Sequence, residues 1–272
     1  MRKLSFIFLF FIQGGIMFSQ AVDTLYINYN VQAPFSQVTD GKPSGIEIDL
    51  INEYILWLKT TKKMDIVVKY NQFTDYDFFY AATKKGTKNT MGLGAITITA
   101  ERAKELDFTS PYLKNVAFCI TNGNAPDIKT KTGPELMKNL GSMTALTIPN
   151  SSLSKYIAEL KKTYVPELKV SAQSSQAKIL EEISKNVLNF GYVDALEFWY
   201  FLKNNPQKFL KMQKVLNQSK EELGFIMPKG SPHKALFNEF FASANGFKNN
   251  RGYRAILEKY VGSYMTQNLA VN

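Results

Sequence analysis

The stretch most able to do chemistry is GAITITAERAKELDFTSPY, residues 94–112. Thr99 stands where a cap would precede a helix beginning at Ala100, and the free N–H groups of such a first turn carry partial positive charge. Arg102 falls in the same turn and adds a planar guanidinium that can hold a carboxylate through two parallel hydrogen bonds. Thr97, at the end of the preceding strand, adds a hydroxyl. Together these residues would form an anion clamp at the carboxyl edge of a sheet, where open α/β folds bind ligands. The alternative is a surface arginine paired with Glu101, Glu105 or Asp107, with Thr99 serving only as a cap.

Other chemistries lack their residues. One cysteine and one histidine leave no plausible zinc or haem set, so no metal and no cofactor are expected. His233 follows Ser-Pro at a helix start and is expected on the surface. No phosphate-binding Gly-Lys motif and no Ser-His-Asp arrangement stand out, so the chain is not expected to be an enzyme. The formal charge is +10, but the lysines are scattered and no recognisable nucleic-acid module is present. A solvated basic surface is the expected result.

The elements that would position the clamp can be read from periodicity. Arg2 and Lys3 precede apolar runs over 4–12 and 16–18, with small residues near Ser19 and Ala21, the pattern of a signal peptide over residues 1–21. Cys119 lies far from that segment, in NVAFCIT, so neither a disulfide nor a lipid-anchoring cysteine is expected, and a buried thiol is. From Leu25 onward TLYINY, IDLINEYILWLK, DIVVKY, TDYDFFYAATKKG and MGLGAI alternate strand and helix, the signature of a mostly parallel, helix-covered sheet. After a Gly-, Pro- and Lys-rich connection, MTALTI, SSLSKYIAELKKTY, ELKVSA, SSQAKILEEISKN, NFGYV and ALEFWYFLKNN repeat the alternation. Two such units predict two lobes with a cleft between them. The tail, ELGFIMPKG and two helices, is too small for a third lobe and is expected to return to one of the first two.

Residues 94–112 resemble the most recognisable segment of the bacterial extracellular solute-binding proteins of family 3. APFSQVTDGKPSGIEIDLINEY resembles that family's N-terminal pattern and NFGYVDALEF its second-lobe segment. The resemblance implies an α/β, two-lobed periplasmic binding protein of type II, with two crossing strands as a hinge. It places the crossings near Ala117–Thr121 and Leu223–Met227, lobe 1 in residues 22–118 plus 223–272, and lobe 2 in 119–222. It further implies a periplasmic monomer that captures a small carboxylate-bearing ligand, an amino acid or a relative, for an inner-membrane ABC permease. By the same resemblance Arg102 matches the carboxylate arginine, Thr97 its helper, Ala95 a backbone position facing the ligand, and Phe73 an aromatic lining the cleft. Ser151 and Ser152 match the helix start that completes the carboxylate site.

The resemblance thins at the amine. The acid that commonly holds a ligand's ammonium would fall at Trp199, and Glu197 is the nearest carboxylate. Glu197 is therefore either the amine partner or a solvated helix residue, and Trp199 either a stacking face or core. Two relatives of other function remain open: a cleft enzyme resembling the cyclohexadienyl dehydratases, with Glu197 as proton donor, and a regulatory module resembling the N-terminal regions of murein transglycosylases.

Overall fold

The structure, a computed structural model, describes residues 23–263 and Thr266; the expected signal segment lies outside the described residues. The chain runs through Asp23–Asn30 (β1), a hairpin of Gln37–Thr39 (β2) and Lys42–Ser44 (β3), Ile46–Thr61 (α1), Ile66–Phe73 (β4), Tyr76–Lys84 (α2), Thr90–Leu93 (β5), Arg102–Glu105 (α3) and Leu106–Phe108 (β6). The second unit comprises Leu113–Asn122 (β7), Gly133–Leu140 (α4), Thr144–Thr147 (β8), Ser152–Thr163 (α5), Lys169–Ala172 (β9), Gln176–Lys185 (α6), Asn189–Asp194 (β10), Ala195–Asn204 (α7), Leu210–Met212 (β11) and Gln218–Leu223 (β12). Ile226–Pro228 (β13), His233–Ala242 (α8) and Arg251–Val261 (α9) follow.

Local chemistry sets many of these boundaries. Gly45 opens α1 at φ 124°, where a side chain would collide with the Phe35 carbonyl. Asp75 caps α2 by accepting from the Phe78 N–H at 2.9 Å. Ser151 and Ser175 cap α5 and α6 in the same way. Pro134 sits in the first turn of α4, where a missing N–H costs nothing.

The strands sort into two principal sheets. In the first, β4, β1 and β5 are parallel, and the antiparallel β13 inserts between β5 and β6. In the second, β9, β8 and β10 are parallel, β7 runs antiparallel beside β10, and β11 and β12 pair with β7. The tail thus returns to the first lobe: β13 joins its sheet, and α8 and α9 bury Phe237, Phe241, Tyr253 and Leu257 against α1 and β1.

The chain leaves the first sheet after Phe108 and enters the second at Leu113. It returns between Leu223 and Ile226. The two passages are tied together by Thr109 N–H to Phe225 O at 3.0 Å and Tyr112 N–H to Leu223 O at 2.9 Å. The first crossing therefore lies ahead of Ala117–Thr121, because those residues already pair with β10, and 113–118 are strand residues of the second sheet.

Each sheet is packed on both faces. In the first lobe Ile27, Tyr54 and Phe225 fill one side, and Phe79, Ile96 and Ile226 the other. In the second, Leu136, Ile157 and Tyr192 lie opposite Ile179, Leu180 and Val193. Cys119 is buried, and burial pushes its thiol well above the ordinary range. His233 is also buried, correcting the surface expectation: its Nδ1 lies 2.9 Å from the Tyr54 hydroxyl beneath α1. Among the described residues, no helix is long and apolar enough to cross a membrane.

Candidate ligand cleft

The first lobe contributes a loop at the carboxyl edge of its sheet. After β5 ends at Leu93, the chain turns through Ala95 at φ 51°, a conformation costing about 1 kcal/mol for a residue with a Cβ. Glu47, in the first turn of α1, holds that turn from beneath. Its Oε1 accepts the Ala95 N–H at 3.0 Å and the Tyr112 hydroxyl at 2.6 Å. Burial raises the Glu47 carboxyl from 4.5 to about 7, although those same hydrogen bonds oppose the shift.

Thr97, braced by a bridge to Leu223, carries the loop on to Arg102. The Arg102 N–H donates to Thr99 Oγ1 at 3.2 Å, and Nη1 donates to the Thr97 carbonyl at 3.0 Å. The guanidinium lies 5.8 Å from the centre of the Tyr76 ring. The carboxylates that could have neutralised it are engaged elsewhere: Glu101 with Lys155, Glu105 with Lys84, and Asp107 with Lys229 and Lys234. Among the described residues, Arg102 has no ion-pair partner and stands at the cleft wall.

The second lobe answers with a helix start and an acid. Asn150, at φ 61°, turns the chain after β8 into α5. Ser151 Oγ accepts from Ser154 N–H at 3.2 Å and donates to the Ile148 carbonyl at 2.7 Å. Ser152 Oγ lies 3.1 Å from Thr97 Oγ1 across the cleft. The N–H groups of a helix's first turn have no intrahelical partner, so the positive end of α5 stands opposite Arg102.

Asp194, the last residue of β10, supplies the negative counterpart. Its Oδ2 accepts from Gln32 Nε2 at 3.0 Å, across the cleft, and from Gln176 Nε2; its Oδ1 accepts from Asn115 Nδ2. Asn115 Nδ2 also donates to Glu221 Oε2 at 2.9 Å, and the Tyr156 hydroxyl donates to Glu221 Oε1 at 2.7 Å. Burial raises the Asp194 carboxyl, and the nearby Glu221 carboxylate adds to the rise. Glu197 is pushed up too, first by burial and then by Asp194. Among the described residues, no lysine, arginine or histidine pairs with any of these three acids. The cleft is therefore polarised, with the positive groups of Arg102 and α5 on one side and the acid Asp194 on the other.

Of the residues expected from the sequence, Arg102, Thr97, Ala95, Ser151 and Ser152 meet on one cavity of about 540 Å³, measured to its open mouth. Phe73 lies elsewhere, its ring 6.1 Å from that of Phe79 within the first lobe. Among the described residues, Tyr76, three residues later, brings an aromatic ring to the cavity. Glu197 is buried on α7 rather than solvated, and it does not line the cavity. Trp199 packs on Phe198, with ring centres 5.2 Å apart, among the apolar residues of the second lobe.

Asn30, Gln32, Gln176 and Asp194 also line the cavity; of these the family resemblance points to Asp194, as the start of a 194–199 region on the second lobe's side. One signal could have found two of them. Asn30 and Asp194 end strands at the carboxyl edges of the two sheets, where the ligand cleft of an open α/β fold lies.

Comparisons with known proteins agree with this architecture. The family model described as bacterial extracellular solute-binding proteins, family 3, matches residues 26–263. An ancestral arginine-binding protein bound to arginine superposes with a TM-score of 0.69 at 21% identity, covering 88% of this chain and 98% of that one. The arginine-, lysine-, histidine-binding protein ArtJ from Geobacillus stearothermophilus gives 0.68 at 23% identity, covering 88% and 96%. The ancestral amino acid-binding protein AncCDT-1, a precursor of cyclohexadienyl dehydratase, gives 0.65 at 22% identity, covering 88% and 95%.

Proposed function

Since the chain belongs to the bacterial extracellular solute-binding proteins of family 3, we propose that it is an exported receptor that captures a small zwitterionic carboxylate between its lobes and delivers it to an inner-membrane ABC permease. The observation that carries this reading is the polarised cleft. Among the described residues, an arginine without a counter-ion faces the positive end of α5, and a buried acid without a cation lies on the same cavity. Arg102, with Thr97, would hold the ligand's carboxylate from the first lobe, and Ser151, Ser152 and the α5 N–H groups from the second. Asp194 would take the ammonium, a role that falls to it because the helix position expected to carry an acid is Trp199. Contacts to both walls favour closure, since a ligand shifts the equilibrium toward the state it touches more.

A thermal-shift screen of the mature protein against amino acids, keto acids, short peptides and muropeptides, with Arg102→Ala beside it, tests the reading. A ligand at about 100 times its dissociation constant adds about 2.7 kcal/mol of stability, a shift of several degrees. A stabilising carboxylate whose effect disappears in Arg102→Ala is expected; a hit of equal strength in the variant would refute the assignment. Stabilisation by muropeptides alone would favour a regulatory module.

One observation supports an enzymatic reading as well. Asp194 is a cavity-lining carboxyl with a raised proton affinity, the property a general acid needs. Incubation with prephenate and detection of phenylpyruvate would reveal it, and Asp194→Asn should then abolish turnover.

A further inference from the structure

Three strands meet where Asp194 stands. In the register of the second sheet, Asp194 on β10 lies opposite Ala117 on β7, and Asn115, two residues back on the same face of β7, lies opposite Glu221 on β12. The sheet thus sets two acids on either side of one carboxamide. Asn115 Nδ2 donates to Asp194 Oδ1 and, at 2.9 Å, to Glu221 Oε2. Asp194 is 5% exposed and Glu221 4%, and among the described residues neither is in an ion pair.

Two carboxylates so close in a buried site resist being ionised together, and the pair keeps a proton where ordinary carboxyls have lost theirs. The surrounding groups bring no charge that relieves it. Glu197 on α7 is itself pushed up, first by burial and then by Asp194. Burial pushes up the hydroxyls of Tyr156 on α5 and Tyr112 in the first passage, so both stay neutral. Gln32 and Gln176 are uncharged, and Arg102, on the far side of the cavity, bonds to the Thr97 carbonyl. Within the pair the hydrogen bonds divide the roles. Gln32, Gln176 and Asn115 all donate to the Asp194 side chain, which suits a carboxylate. The Tyr156 hydroxyl, 2.7 Å from Glu221 Oε1, can donate or accept and so serves Glu221 with or without a proton. Asp194 opens on the ligand cavity, and Glu221 does not. An ammonium that reaches Asp194 as the proton leaves exchanges one cation for another, and the buried charge is unchanged.

We propose that Asp194 and Glu221 share one proton across Asn115, and that a ligand's ammonium at Asp194 displaces it to solvent. Glu221 then acts on specificity without touching the ligand, as a positioning residue for charge. This rests on the receptor reading above and adds a pH dependence to it. A zwitterion binds more tightly as rising pH empties the pair, while an amine-free acid loses affinity over the same interval.

Carbon-13 NMR of the side-chain carboxyls, followed against pH, tests the pair, with Asp194→Asn identifying the Asp194 signal. In the ligand-free wild type that signal is expected to titrate in two steps, the upper well above the ordinary carboxylate range. Glu221→Gln should lower its midpoint by about one pH unit or more, and Glu197→Gln should leave it nearly in place. A mixture of the common amino acids should lower the wild-type midpoint, and a mixture of their keto acids should not. A single step at the ordinary midpoint in the ligand-free wild type would overturn the shared proton and leave the receptor reading standing, and that curve needs no variant to fold. A midpoint that Glu221→Gln leaves unmoved, or that Glu197→Gln lowers as far, would overturn the pairing with Glu221. A coupled pair that the amino acids do not move would overturn the displacement, and with it the amine role of Asp194.

Discussion

Among the described residues, Arg102 is a cation without a counter-ion and Asp194 an acid without a cation. In the proposed reading, both take a partner from outside the chain. Arg102→Ala is expected to weaken ligand binding about 100-fold or more, the scale of a lost charge-assisted pair, while the apo melting temperature stays within a few degrees. Titration calorimetry and melting of the same preparation measure the two effects. Asp194→Asn should cost a zwitterionic ligand about tenfold or more yet leave an amine-free acid nearly unaffected. Glu47 acts at one remove, by holding the Ala95 turn, and it carries a pH signature. Its carboxyl binds its proton more tightly when folded than when unfolded, so its contribution to stability is complete below about 4.5 and declines as pH rises through about 7. That interval corresponds to roughly 3 kcal/mol. The stability difference between Glu47→Gln and wild type should therefore shift in favour of the variant as pH rises from 4 to 8 in urea titrations; a constant difference would refute the buried, protonated state.

At the scale of elements, the positive end of α5 depends on how the helix is begun. Ser151→Ala removes the cap and should cost about 1 kcal/mol, read as a lower urea midpoint at unchanged slope. Gly45→Ala should cost more, because it forces a side chain into the Phe35 carbonyl at a backbone angle only glycine adopts easily. The longer helices were legible from the apolar spacing, and the Arg102 loop from its residue types. What escaped the sequence was placement in three dimensions. Phe73 and Tyr76 are both aromatic and three residues apart, and only the end of β4 and start of α2 between them decide which ring meets the cleft. The segment ELGFIMPKG looked like one strand, but it holds the end of β12 and all of β13, which belong to different sheets. The hairpin β2–β3 turns on Asp40 and Gly41, both at positive φ, and is too short to announce itself by periodicity. His233 was misjudged because no local pattern reveals that Tyr54, 179 residues away, supplies its hydrogen bond.

For the whole molecule, the structure shows a closed arrangement held by contacts of very different strength. Lys155–Glu101 is exposed and largely screened by solvent, whereas Gln32–Asp194 and Thr97–Ser152 lie at the cavity between the lobes. Without ligand, such weak ties should leave open forms populated. The radius of gyration from small-angle scattering is then expected to fall on ligand addition, and the apo value should rise when salt screens the surface pair. A ligand-independent radius would argue against capture by closure.

The double passage between lobes also dictates an order of assembly. The second sheet draws all its strands from 113–223, one continuous stretch, whereas the first sheet needs β13, which the chain reaches only at Ile226. As the polypeptide emerges from its N-terminus, β1, β4 and β5 can pair with one another, but β6 has no neighbour in the sheet until β13 arrives. Long-range pairing of this kind is slow. The half of the molecule that carries Arg102 is thus completed last, so its wall of the cleft forms only once nearly the whole chain is available.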